Sequence, residues 1–330
     1  MATVFIPPTD PGGAPGAETL RGSDAPETLR GDDGLDFVIA LGGDDAVRGR
    51  GGEDTLDGGR GSDLLVGAAG DDRLFGDYNP FPPPPVSELP GEGDTLLGGD
   101  GNDLALGQAG DDVLRGQAGD DTLVGGTGYD LLLGGRGDDF LLGGAGYDRL
   151  LGGGGNDELR GGGPGVVGSS PDADDELRGG AGQDSLFGEG GSDWLFGDAG
   201  ADRLEGGADA DLMTGGAGAD RFVWGDAGAS ALTIALDTGL GEDGRDILED
   251  FTSGQDILDF SPIAALAGPF AFIGEADFSG AGNEIRAERI GADLLLEIDW
   301  APPGGTPDAE KDGEILLRGV AALGPDDLVL

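Results

Sequence analysis

The sequence predicts an all-β protein: a parallel β-roll, a two-sheet solenoid wound from a nine-residue repeat and closed by a C-terminal β cap. Three observations carry this expectation. Large apolar residues recur every nine positions, an aspartate stands two residues before nearly every one of them, and glycines fill the run between one apolar position and the next. The stretch GGTGYDLLLGGRGDDFLLGGAGYDRLLGG (125–153) holds three near-copies of the phrase G-G-x-G-x-D-x-U-x, with U apolar.

Composition alone points the other way. The chain has 330 residues, 73 of them glycine, with 66 acidic and 18 basic side chains and a formal net charge of −48. Few apolar groups per residue give little burial to offset chain entropy. Leu, Ile, Val and Phe together make 78 of the 330 residues, just above the proportion at which disorder becomes the default. Placement therefore decides, and a disordered chain keeps no register. The same charge repels nucleic acid and anionic lipid, so neither is an expected partner. No cysteine and no histidine are present, which excludes disulfides, thiolate chemistry, Ser-His-Asp and Cys-His arrangements and the HExxH helix. The start, MATVFIPPTDPGG, lacks the basic and long apolar segments of an N-terminal secretory signal. No stretch approaches 18 apolar residues, so no transmembrane segment is expected.

Taken in order, residues 1–17 read as a flexible N-terminal segment. Residues 18–78 form a first block of repeats, with apolar positions at Leu20, Leu29, Val38, Val47, Leu56, Leu65 and Leu74. The phase breaks at a Pro-rich loop insertion, 79–93 (NPFPPPPVSELPGEG). A second block, 94–223, resumes at Leu96 and runs through Ala105, Leu114, Leu123, Leu132, Leu141, Leu150 and Leu159, then Leu177, Leu186, Leu195, Leu204, Met213 and Phe222. The gap between Leu159 and Leu177 equals two periods, so GGGPGVVGSSPDADD (161–175) is expected to hold one degenerate repeat in register. Residues 224–330 follow as the cap.

The phrase has a physical reading. The residues around U make a short strand, and the glycine-rich remainder makes a turn that visits positive φ and lets a ligand approach closely. Two repeats, 18 residues, return the chain to its starting side, so residue n lies beside n+18 in a parallel sheet about 4.8 Å away. Inward apolar residues then stack into a thin core that no single coil could form alone.

The same stacking lines up the aspartates. They are Asp36, Asp45, Asp54, Asp63 and Asp72 in the first block, then Asp103, Asp112, Asp121, Asp130, Asp139, Asp148 and Asp157, and finally Asp175, Asp184, Asp193, Asp202, Asp211 and Asp220. One file is expected through Asp36, Asp54 and Asp72, and another from Asp103 through Asp121, Asp139, Asp157, Asp175 and Asp193 to Asp211. Two carboxylates about 5 Å apart repel by roughly 3 kcal/mol at an effective dielectric of 20, so the fold needs cations. Oxygen-only ligands, from carboxylates and glycine-turn carbonyls, favour Ca²⁺, in multiple ions, over Mg²⁺ or a transition metal. A lone G-x-D is an ordinary turn; the signal lies in the file. The phrase resembles the calcium-binding nonapeptide of RTX (hemolysin-type) repeat proteins.

After Phe222 the period stops. GRDILEDFTSGQDILDFSPI (244–263) and FAFIGEADFSGAGNEIR (270–286) resemble the C-terminal region of serralysin-type proteases, through Asp246, Asp250, Phe251, Gly254, Asp256, Asp259, Ser261, Phe278, Ser279 and Gly280. The resemblance covers about 220–330. It implies export through a type I secretion exporter, an extracellular location and folding by calcium after export. The terminal PDDLVL is similar to the acidic-then-hydrophobic tail of such substrates, and an edge strand is the plainer reading of it. Where the family has a second acidic, glycine-rich turn, this chain has APPGGTPDAEKDG (301–313). Residues 1–17 are too few for a protease domain, and no histidine exists to hold zinc. The expectation is therefore a secreted, calcium-folded structural or interaction protein, not an enzyme. The alternative is an accessory or truncated relative of a secreted serralysin-type protease or epimerase.

Residues flanking U point outward. One outer file pairs Leu104 and Leu106, Thr122 and Val124, Phe140 and Leu142, Glu158 and Arg160, Glu176 and Arg178, then Trp194 and Phe196, while the opposite sheet shows Leu131, Leu133 and Leu151. So much outward apolar surface suggests a cover: the 79–93 excursion or a second chain, as a protein partner or by self-association, with the C-terminal cap over Trp194 and Phe196; the alternative is that such a roll tolerates outward leucines.

Overall fold

The computed structural model describes residues 2–3, 18–77, 93–162, 173–224, 245–262, 270–276, 279, 283–299, 313–324 and 326–330. The segment 1–17 apart from residues 2–3, and nearly all of the 79–93 excursion, lie outside these residues, as do the readings placed on them. The chain divides into two units, Met1–Leu159 with Gly165–Ser170, and Arg160–Pro164 with Pro171–Leu330.

The first unit is a parallel β-roll. One sheet runs Ala2–Thr3, Glu27–Arg30, Ala46–Gly51, Leu64–Ala69, Thr95–Asp100, Val113–Ala118, Leu131–Arg136, Arg149–Gly154. The other runs Glu18–Arg21, Asp36–Ile39, Thr55–Gly59, Arg73–Asp77, Leu104–Ala109, Thr122–Thr127, Phe140–Ala145. Strands alternate between the sheets, and within the repeats neighbours in a sheet stand 18 positions apart, as in Leu114↔Leu132 and Leu123↔Leu141. The inward residues Leu29, Val47, Leu65, Leu96, Leu114, Leu132 and Leu150 of one sheet face Leu20, Val38, Leu56, Leu74, Ala105, Leu123 and Leu141 of the other, all at most 2% exposed. Burying each leucine contributes about 2 kcal/mol.

Across the excursion the register is 31 rather than 18, with Leu65↔Leu96 and Leu74↔Ala105. The pairing of neighbouring coils continues across it. This corrects the reading of two separate aspartate files: Asp72 and Asp103 are direct neighbours in one.

The second unit begins the same way, with Glu176–Ala181, Trp194–Ala199, Leu212–Thr214 and Asp246–Leu248 in one sheet and Ser185–Gly190, Arg203–Ala208, Arg221–Val223 and Ile257–Asp259 in the other. Of the expected degenerate repeat at 161–175, residues 163–172 lie outside the described residues. In a regular coil a methyl on the first glycine of the phrase would meet the Asp five positions on and the carbonyl 18 positions on, as Gly107 does with Asp112 and Gly125. Gly161 instead meets Asp175 and Gly188, 14 and 27 positions on. The spacing between neighbours across this stretch is therefore 27 positions rather than the expected 18. The neighbour of Arg160 is Phe187, over whose ring its guanidinium lies at 4.6 Å, so Arg160 and Arg178 are not adjacent in a file.

The C-terminal region extends the roll before it closes it. Asp246–Leu248 pairs in parallel with Leu212–Met213 and with Gly313–Leu317, and Ile257–Asp259 pairs with Arg221–Val223 and with the terminal strand Leu328–Val329. Asp293–Asp299 then pairs antiparallel with Gly313–Leu317 and Glu284–Ile290. The DLVL end is thus the last strand of a sheet. Trp194 stays 40% exposed, and the guanidinium of Arg178 lies over Phe196 at 4.5 Å, so the expected cover over this pair is not what the fold provides. No helix among the described residues is long and apolar enough to cross a membrane.

Candidate metal centre

Each repeat aspartate sits where the turn enters the strand. Its backbone N–H donates to Oδ1 of the aspartate 18 positions on, as Asp36 does to Asp54, Asp103 to Asp121 and Asp121 to Asp139, each at 2.8 Å. Its carbonyl accepts a strand N–H of the next coil, as Asp112 does from Leu131 at 2.9 Å. In the first unit the files run Asp36, Asp54, Asp72, Asp103, Asp121, Asp139, Asp157 and Asp45, Asp63, Asp94, Asp112, Asp130, Asp148. In the second they run Asp175, Asp193, Asp211, Asp246 and Asp184, Asp202, Asp220, Asp256. All eighteen aspartates singled out from sequence occupy this one place, none more than 3% exposed.

The second carboxylate oxygen is the informative atom. In Asp45, Asp54, Asp63, Asp72, Asp94, Asp103, Asp112, Asp121, Asp130, Asp139, Asp193 and Asp202, Oδ2 is buried without a hydrogen-bond partner. A buried anionic oxygen left in this state is costly. Burial accordingly pushes these acids up, to about 6 for Asp103, about 7 for Asp121 and about 8 for Asp130, with neighbouring aspartates adding to the rise and the ladder hydrogen bond opposing it.

What Oδ2 faces is set by the first glycine of the phrase. A methyl on Gly107 would lie 2.2 Å from Asp112 Oδ2 and 2.8 Å from the carbonyl oxygen of Gly125. On Gly134 it would lie 2.2 Å from Asp139 Oδ2 and 2.7 Å from the Gly152 carbonyl. A carboxylate oxygen and a carbonyl of the next coil thus converge on a space that only glycine leaves open. Among the described residues no three acidic side chains cluster as a metal site, so each turn offers carboxylates file by file and backbone carbonyls besides. An all-oxygen set of this kind fits Ca²⁺, whose coordination is flexible, better than Mg²⁺.

The file ends are closed differently. Asp36 Oδ2 accepts the Asp32 N–H at 2.9 Å, and the Glu27 carboxylate accepts the Ser23 N–H at 2.9 Å and its hydroxyl at 2.8 Å. In the second unit, Asp246 Oδ2 accepts the Trp224 indole N–H at 2.8 Å and Asp256 Oδ2 the Thr252 N–H at 2.7 Å. Asp327 accepts the Gly254 and Gly324 N–H groups at 2.7 and 2.6 Å, and with Ser253 these hold its carboxyl below the ordinary value although burial raises it.

Sequence reasoning passed over Asp94, Glu27, Asp246 and Asp256 as members of the files. The signal was present: each stands two residues before an inward apolar residue, Leu96, Leu29, Leu248 and Leu258. Asp94 was hidden by the loop before it, Glu27 by its identity, and the last two by insertions that break the period.

The family described as RTX calcium-binding nonapeptide repeat (4 copies) matches residues 12–47, 21–56, 48–77, 97–132, 133–163, 172–204, 187–222 and 196–229, more than half of the chain. No curated protein matches it. Among solved structures, it is similar to the AlgE6R3 subunit of the Azotobacter vinelandii mannuronan C5-epimerase, with 32% identity over 48% of this chain and 80% of that one and a TM-score of 0.33. The AlgE6R2 subunit of the same enzyme gives 25% identity over 57% and 90%, with a TM-score of 0.29. The extracellular lipase LipA of Serratia marcescens gives 19% identity over 82% and 45%, with a TM-score of 0.22.

Proposed function

The chain belongs to the family of RTX calcium-binding nonapeptide repeat proteins, and from that premise we propose that it is exported unfolded by a type I system and folded outside the cell by calcium, to serve a structural or interaction role without catalysis. The carrying observation is the file of buried, unpartnered Oδ2 atoms, each beside a glycine cradle. Without cations, closing the roll stacks these carboxylates and desolvates them. With Ca²⁺, Oδ2 and the turn carbonyls gain a partner, and binding free energy becomes folding free energy. Cytosolic calcium is too scarce for this. Extracellular modules of this kind work at dissociation constants of about 10⁻⁴–10⁻³ M. In the unfolded chain the Asp326–Leu330 tail is available to the exporter, whereas in the folded one it is the edge strand.

The outward file Leu104, Leu106, Val124, Phe140 and Leu142 is half-buried by its own neighbours. It is the surface through which a second copy or a protein partner would attach. Phe140→Asp should lower the oligomer size measured by light scattering; unchanged size and solubility would remove this part of the reading.

The main test is far-UV circular dichroism during a calcium titration from a chelated start, with magnesium as control. A cooperative coil-to-β transition with calcium alone is expected. A folded spectrum at neutral pH in excess chelator would overturn export in an unfolded state.

A further inference from the structure

The two outward faces of the first unit carry opposite charges at the same spacing. On one sheet Arg30 and Arg48 are register partners in the neighbouring strands Glu27–Arg30 and Ala46–Gly51, and both are exposed. Arg50, two residues on and on the same face, is exposed as well. Like charges directly opposite in a sheet repel. The chain has a net charge of −48, yet among the described residues none of these three side chains forms an ion pair or a hydrogen bond. Asp32 and Asp33 follow Arg30 in the turn, where Asp32 Oδ1 accepts the Gly34 N–H at 2.8 Å. In the second unit, by contrast, Arg160 holds Glu189 at 3.2 Å, Arg178 holds Asp198 at 3.0 Å and Arg245 holds Glu314 at 3.6 Å. Beyond Arg48 the same face turns apolar, with Leu64 and Val66 in the next strand and Leu97 in the one after, all half-buried.

The other sheet carries the counterpart. Asp120 and Asp138 are exposed neighbours on its turn edge, where the Asp138 N–H donates to Asp120 Oδ1 at 2.9 Å and the Asn156 N–H to Asp138 Oδ1 at 2.7 Å. They lead into the strands Thr122–Thr127 and Phe140–Ala145, so they border the apolar file of Leu104, Leu106, Val124, Phe140 and Leu142. Both charge pairs repeat at the spacing of adjacent strands, about 4.8 Å. They cannot meet within one molecule. Three strand spacings, about 14 Å, separate Ala46–Gly51 from Val113–Ala118, the strand before Asp120, which is farther than an arginine side chain extends.

We propose that the occupant of the apolar file is the arginine-bearing face of a second copy of this chain, Arg48 and Arg30 of one copy pairing with Asp120 and Asp138 of the next. The inference rests on the reading of that file as an attachment surface. Setting Arg48 against Asp120 and Arg30 against Asp138 brings Leu64 and Val66 opposite Leu104 and Leu106, because every file shares one pitch. The contact then has an apolar centre and a charged rim, the anatomy of an ordinary protein interface. Two different faces meet. Each added copy therefore presents one further arginine face and one further acidic edge, and the assembly grows as a chain rather than closing as a two-fold dimer.

The experiment is sedimentation equilibrium of the calcium-loaded full chain over a range of concentrations, with circular dichroism to establish that each variant folds. The wild type should exceed the mass of a dimer. Arg30→Gln/Arg48→Gln should raise the dissociation constant about tenfold, as the loss of two exposed ion pairs would. Asp120→Asn/Asp138→Asn should do the same, and asparagine keeps the turn hydrogen bond, as Asn102 does in accepting the Asp120 N–H at 2.9 Å. Where each double variant is monomeric, an equal mixture of the two should form dimers and nothing larger, since one complementary pair of faces remains. Unchanged association in either folded variant, or a mixture that stays monomeric, would overturn the inference; the aspartate pair decides if the arginine pair fails to fold. A wild type that stays monomeric would overturn it too, and if that monomer binds dextran sulfate through Arg30 and Arg48, a foreign polyanion is their ligand instead. Association lowered by Phe140→Asp but by neither charge variant would leave the attachment surface standing and remove only the inference.

Discussion

Asp112 uses three of its four polar groups inside the protein: its N–H donates to Asp130, its carbonyl accepts from Leu131 and its Oδ1 accepts from Asp94, leaving Oδ2 for an ion. The glycines around it have separable roles. Gly128 has φ +140°, and a methyl there would lie 1.8 Å from the Gly110 carbonyl, so Gly128→Ala should destabilise the calcium-loaded protein by about 3 kcal/mol in urea unfolding. Gly107 carries no such φ, and its methyl would meet Asp112 Oδ2 and the Gly125 carbonyl. Gly107→Ala should therefore raise the calcium midpoint and reduce the ions bound in equilibrium dialysis. At the file end, Trp224 is buried, stacks on Phe260 at 5.0 Å and gives its indole N–H to Asp246. Trp224→Phe keeps the stacking and removes the donor, at an expected cost of about 2 kcal/mol in calcium.

At the scale of the strand, each repeat is too short to be stable alone, and within the roll it is held by parallel neighbours and one inward side chain. Leu132 lies between Leu114 and Leu150 in the inward stack and is fully buried. Leu132→Ala should cost about 3 kcal/mol and lower the thermal midpoint in calcium, and a substitution confined to an exposed turn residue such as Tyr129, 67% exposed, should leave it within error. The outward residues of the same strand, Leu131 and Leu133, are half-buried against Val113, Arg115, Arg149 and Leu151 in adjacent strands. Lateral stacking along a file therefore shields much of the apolar surface that reads from sequence as bare.

For the whole molecule, folding is linked to both protons and calcium. File aspartates are raised by burial from 3.8 to values from about 6 at Asp45 and Asp139 to about 9 at Asp94. A carboxyl raised in the folded state takes up protons more readily there than in the unfolded chain. Its contribution to metal-free stability is complete below about pH 4 and is lost as pH rises through the folded values. In excess chelator, circular dichroism should show β structure at acid pH that melts between about pH 6 and pH 9. Calcium should abolish that loss, and its binding near neutrality should release protons measurable in a lightly buffered titration.

The repeat was legible because its physics is local and is the same in every copy: a glycine turn, an aspartate, and an apolar residue two positions later that must face inward. From those spacings the sequence alone determined the parallel β-roll, the core and the aspartate of nearly every coil. What the tertiary structure decided is which copies meet. Asp72 joins Asp103 across 31 positions, and Gly161 lies beside Gly188 across 27. Asp246 and Asp256 extend the files beyond the last period, where an indole and a backbone N–H close them. The reason is that pairing between strands depends on where chain ends meet in space. The entropy of closing a longer loop grows only slowly with its length, so an insertion can leave the coil without leaving a mark in the period that tells where its neighbours will be.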